Sequence, residues 1–74
     1  MPTIQHAIDV AGLQLQKAIA DQNNFKNLGL CFAYFYDDTF NGVSDDGYDD
    51  QFSSMVAEHF AELFNAHFET DFIF

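Results

Sequence analysis

Between Asp37 and Asp50 the chain reads DDTFNGVSDDGYDD, six aspartates in fourteen residues with no lysine or arginine among them. Ionised carboxylates are almost never buried without a partner, and like charges held this closely repel one another. The acids of this stretch are therefore expected to lie in water. Asn41-Gly42 and Asp46-Gly47 are turn dipeptides, and aspartate itself suits turns. The expectation for 37–50 is a solvated loop, with a short hairpin at Asn41-Gly42 flanked by Phe40 and Val43.

The flanking segments carry apolar patterns. From Thr3 to about Asp21, the residues Ile4, Ala7, Ile8, Ala11, Leu15, Ala18 and Ile19 recur at helical spacing, with Thr3 placed to cap the first turn. Gly12 weakens this helix slightly, and Val10 and Leu13 fall off its main stripe, beside His6 and Lys17. Asp21-Gln22-Asn23-Asn24 breaks the pattern as a polar turn. In Leu28–Tyr36 large residues alternate with mostly small ones, which suggests a strand; Phe25, Leu28, Phe32 and Tyr36 also fit a helical spacing.

A second helix is expected from about Asp49 to Phe68. Phe52, Met55, Val56, Phe60, Leu63 and Phe64 form its apolar stripe, Phe68 lies at the edge, and Glu58, Glu62, Asn65 and Glu69 lie opposite. Asp49 and Asp50 favour its start, where carboxylates cap free N–H groups and meet the helix dipole. Thr70–Phe74 resembles a short strand, whose Phe72, Ile73 and Phe74 would bury beside Leu28–Tyr36. The expected fold is α+β: two amphipathic helices packed on one face of a small antiparallel sheet, in a single domain spanning 1–74.

Seventy-four residues leave room for one modest core, and ten phenylalanines among 49% hydrophobic residues argue against disorder. Twelve acids face only Lys17 and Lys26, a formal charge of -10. Such a chain repels nucleic-acid backbones and anionic lipid, and attracts basic protein surfaces. Cys31 is the lone cysteine, which rules out an internal disulfide and four-thiolate zinc; its apolar surroundings suggest a buried, inert thiol. The start of the chain lacks a signal-peptide pattern and no segment approaches a membrane-spanning length, so a cytoplasmic protein is expected.

Chemistry-bearing patterns are few. Counted from Asp37, the acidic stretch supplies Asp37, Thr39, Asn41, Gly42 and Asp45 in an EF-hand-like register, but its twelfth position is Tyr48, where a bidentate glutamate is needed. Only adventitious, weak cation binding would follow. His59 and His67 sit in or beside the apolar stripe and read as half-buried structural histidines, each satisfied by a backbone carbonyl. Eight residues apart, they lie roughly 12 Å apart along a helix, too far to share a metal. No phosphate loop or nucleophile elbow surrounds the glycines or Ser44, Ser53 and Ser54. The expectation is a non-catalytic protein with no cofactor and no metal.

In size, charge and lack of a catalytic motif, the chain resembles the small acidic inhibitors carried by phages and mobile elements, notably anti-CRISPR proteins and other DNA mimics. The resemblance spans the chain as composition and involves no motif, so no residue's role is carried over from it. It implies a stoichiometric inhibitor docking in a nucleic-acid-binding groove of a host defence complex. The residues themselves point to the same kind of contact. Asp37, Asp38, Asp45, Asp46, Asp49 and Asp50 would meet a basic protein surface, with Tyr48 as an aromatic anchor and Glu58, Glu62 and Glu69 extending the anionic face. Two alternatives stay open. One is a homodimer or small adaptor assembling through Val10, Leu13 and the C-terminal aromatics; the other is adaptation to high salt.

Overall fold

The computed structural model describes residues 4–72, and among them there is no strand. Three α-helices run through this stretch, α1 (Ile4–Asp21), α2 (Leu28–Asp45) and α3 (Asp50–Phe68), with one 3-10 turn at Gln22–Asn24. The expected α+β fold is thus replaced by an all-α three-helix bundle. Leu28–Tyr36, expected as a strand, is the first half of α2, and most of the expected acidic loop is its second half.

The reason lies in how the acidic stretch is spaced. Cys31, Phe32, Phe35, Thr39 and Val43 are the buried residues of α2, so one apolar stripe runs at steps of three and four from the aromatic half into the acidic half. Thr39 and Val43 continue the stripe past the aspartates, and Asp37, Asp38, Asn41 and Asp45 are left facing outward. Packing of that stripe outweighs the poor helix propensity of Asp, Asn and Gly. Asn27 starts the helix by accepting a hydrogen bond from the Leu30 N–H at 2.9 Å. Asn41-Gly42 is no hairpin: both residues lie inside α2. Chain reversal comes at Asp46-Gly47, where Gly47 takes φ +98°, a conformation that suits glycine. Asp49 then caps α3, its Oδ1 accepting from the Phe52 N–H at 2.8 Å. That helix follows the sequence expectation closely.

Contacts fix an up-down-up order. Gln14 meets Thr39 and the Cys31 thiol approaches the Ala18 carbonyl, so α1 and α2 are antiparallel. Ser44 meets Ser53 at 2.9 Å while Phe32 packs on Phe60 and Phe64, so α2 and α3 are antiparallel too. The core is phenylalanine-rich on the α2–α3 side, with Phe60 and Phe64 fully buried. Burying each such ring stabilises by about 1.5–3 kcal/mol.

The α1 side is built differently. Its buried residues are Gln14 and three of the expected stripe, Ala7, Ala11 and Ala18, while Ile4 and Ile8 of that stripe are exposed. Small side chains let α1 pack closely on its neighbours, and Ile4 is left 71% exposed. Gln14 is buried because its amide is satisfied, donating to Asp38 Oδ2 at 3.0 Å and Thr39 Oγ1 at 2.9 Å.

The chain after α3 is held by one side chain. Asn65 accepts from the Phe72 N–H at 2.9 Å and from Thr70 Oγ1 at 2.8 Å, and donates to the Phe72 carbonyl at 3.1 Å. Phe72 thereby packs on Phe32 and Phe64, over Gly29, where a Cβ would stand 3.5 Å from its ring. The expectation that Phe72 buries beside the Leu28–Tyr36 segment holds, without a sheet. Thr70–Phe72 is not a strand, and Ile73, Phe74 and the proposed Thr3 cap lie outside the described residues.

Candidate anionic interaction surface

Helix packing sorts the charges. Residues 1–26 hold Asp9 and Asp21 against Lys17 and Lys26 and balance to zero; residues 27–74 hold the other ten acids and no lysine or arginine, so the whole of the -10 sits there. These ten acids belong to α2, α3, their connecting turn and the segment after α3. The outward side of α1 adds only Asp9. Among the described residues neither lysine lies within 4 Å of a carboxylate, and His59 Nδ1 stands 3.8 Å from Glu62 Oε2.

On α2, Asp37, Asp38 and Asp45 are exposed and share an outward strip with Leu30, Tyr34 and Asn41. Asp46, Asp49 and Asp50 follow at the turn and the start of α3, all exposed. Glu58 and Glu62 occupy successive turns on the outside of α3, roughly 6 Å apart along its axis. Glu69 ends that helix in a left-handed conformation, φ 55°, at the opposite end from the turn. Every expected site carboxylate is therefore exposed, and rigid helix rather than loop carries most of them. Burial, and behind it the Glu58 carboxylate, push the Tyr36 phenol above its ordinary value.

Tyr48 is placed differently from the role expected of it. It is half-buried, its ring 4.8 Å from Phe52 and 5.6 Å from His6, with its hydroxyl 3.4 Å from His6 Nε2. That arrangement closes the turn over the end of α1. Among the described residues Tyr34 is an exposed aromatic, 55% exposed and one helical turn from Asp37 and Asp38. Its i, i+3, i+4 spacing to those aspartates was the signal for it, hidden while the segment was read as a strand.

The histidines also differ from expectation. His59 is half-buried but faces Glu62, and His67 is exposed with its ring edge-on to Phe68. Thr39 is buried in the helix and donates to the Phe35 carbonyl at 2.6 Å, so the EF-hand-like register cannot close around an ion. Among the described residues no three His, Cys, Asp or Glu side chains converge as a metal site, and no helix is long and apolar enough to cross a membrane. Cys31 is buried and its thiol is raised above the usual range, first by burial and then by Asp21.

Of the residues in the self-association alternative, Val10 packs on the core, Phe72 is tied down by Asn65 and Leu13 is 62% exposed, while Phe74 lies outside the described residues. No protein-family model, curated protein or solved structure matches the chain.

Proposed function

We propose that this chain is a non-catalytic acidic binding protein that occupies the basic, nucleic-acid-binding groove of another protein and blocks it with an anionic surface. The observation that carries the reading is the segregation of charge: ten acids and no lysine or arginine from residue 27 onward, against a neutral stretch over residues 1–26. Six of the ten carboxylates, Asp37, Asp38, Asp45, Asp50, Glu58 and Glu62, lie within α2 and α3, and the other four lie in the turn between these helices or just after α3. Nucleic acid presents about one charge per 3.4 Å on a single strand and one per 1.7 Å on a duplex. Helical backbone holds the six helix-borne carboxylates at fixed spacing, so a partner would meet a preformed anionic face. Duplex-binding and strand-binding grooves alike attract such a face.

The test is competition. The immobilised protein is exposed at about 50 mM salt to the heparin-binding fraction of a cell extract, and retained proteins are challenged with salt or with a DNA oligonucleotide. Release by moderate salt and by the oligonucleotide is expected, and retention should fall at least about tenfold for D37N/D38N/D45N with its helical circular dichroism unchanged. Retention that ignores both competitors rules the reading out.

A further inference from the structure

The seam between α1 and α3 is open on its outer side. Ile4 and Ile8 of α1 and Met55 of α3 are 71%, 38% and 38% exposed and line one groove of about 190 Å³, walled by Glu58 and Glu62. Beyond Met55 and Glu58 the groove opens into a wider depression that ends at Asp49, the α3 cap. His6 stacks on Phe52, which brings the starting ends of α1 and α3 side by side, so the two helices run parallel along this seam. A three-helix bundle with one apolar seam left open lacks only a fourth helix.

We propose that this seam receives a cationic amphipathic helix of a partner protein. Its apolar residues, at helical spacing, would rest on Ile4, Ile8 and Met55, and its lysines or arginines would reach Glu58, Glu62 and Asp49 on the α3 side. Charge selects this occupant. Glu58 and Glu62 wall the groove together with His59, whose Nδ1 lies 3.8 Å from Glu62 Oε2, and both lysines of the chain lie elsewhere: Lys17 on the α1–α2 seam and Lys26 before α2. A second copy seated here would bring the same carboxylates against themselves at a formal -10 on each side. The inference rests on the basic-partner reading above and adds to it an apolar anchor, which a surface read only through its charge does not need.

The probe is a synthetic amphipathic helix of leucine and lysine, about eighteen residues or five turns long, with an all-lysine peptide of equal length as its control. Binding is followed through the isoleucine and methionine methyl signals. The leucine–lysine peptide is expected to bind one-to-one and shift Ile4, Ile8 and Met55. I8Q and M55Q should each weaken it about tenfold or more, while the all-lysine peptide binds more weakly and ignores both changes. I4Q, at the most exposed of the three positions, provides a variant that cannot fail through the core. Equal binding by I4Q, I8Q, M55Q and the parent would overturn the proposal, and so would a salt-resistant dimer in sedimentation that shifts the same methyls. If D37N/D38N/D45N alone weakens the peptide, the contact is general attraction; the groove is then refuted and the anionic surface stands. If the seam binds the peptide while DNA fails to compete in the capture experiment, the groove stands and the nucleic-acid-mimic reading falls.

Discussion

Asn65 substitutes for a strand partner at the one place where this molecule needs it. Its amide meets both backbone polar groups of Phe72 and also the Thr70 hydroxyl, so a single side chain seats the phenylalanine against Phe32 and Phe64. N65A should lose about 1–3 kcal/mol, since it abandons three hydrogen bonds and loosens a packed ring. Urea unfolding measures the loss, and the ring signals of Phe72 should move toward free values; an unchanged midpoint would mean that the ring seats itself. Two other residues set the alkaline limit. Cys31 and Tyr36 are both raised by burial, from ordinary values of 9.0 and 10.0. A group whose folded pKa exceeds its unfolded one leaves stability untouched while both states are protonated, and removes it as pH climbs past the unfolded value. The urea midpoint should therefore hold steady up to about pH 9 and fall above it, and C31A should move the onset upward. A decline that begins well below that range would point to other groups.

At the scale of elements, two glycines separate the helix from the hairpin that Asn41-Gly42 suggests. Gly42 lies inside α2 with open space where a Cβ would stand, whereas Gly47 holds φ +98°. G42A should stabilise by about 0.5–1 kcal/mol, because a helical glycine costs that much relative to alanine, and G47A should destabilise by a similar amount or more. A hairpin at 41–42 would reverse the first sign. The sequence made α1 and α3 legible because their stripes run between clear breaks, and Asp49 announced its cap. It hid α2 because two signals overlapped there. In Leu28–Tyr36 small residues alternate with large ones as in a strand, yet Gly29 lies beside the Asn27 cap, where a Cβ would stand 3.2 Å from its Oδ1, and Ala33 simply faces water. In the acidic half, Thr39 and Val43 were too few and too small to advertise a stripe that only the partner helices complete. The acids themselves were legible as exposed, but their helical bearing, and with it Tyr34, was not. On α1 the stripe was legible down to Ala7, Ala11 and Ala18, which do pack; what it did not show was that Ile4 and Ile8 of the same stripe would stay exposed.

At the scale of the molecule, the charge that attracts a partner also strains the fold. The bundle extends 37 × 20 × 20 Å, and the screening length is about 30 Å at 0.01 M salt but about 10 Å at 0.1 M. At low ionic strength the carboxylates of α2 therefore repel those of α3 across the molecule's width, and near physiological salt they largely cease to. Thermal stability should rise with salt. Relief of about 1 kcal/mol would lift the midpoint by about 4–8 °C in a domain of this size. Binding to a basic partner must move the other way, weakening as the same screening removes the attraction. D37N/D38N/D45N provides the decisive comparison, because asparagine keeps a carbonyl oxygen that can accept from Gln14 at position 38. It should raise the low-salt midpoint, flatten the dependence on salt and weaken partner capture together. If the midpoint of the parent protein is indifferent to salt, the carboxylates carry no mutual cost. Their concentration on two of three helices would then be no argument that a partner is what they await.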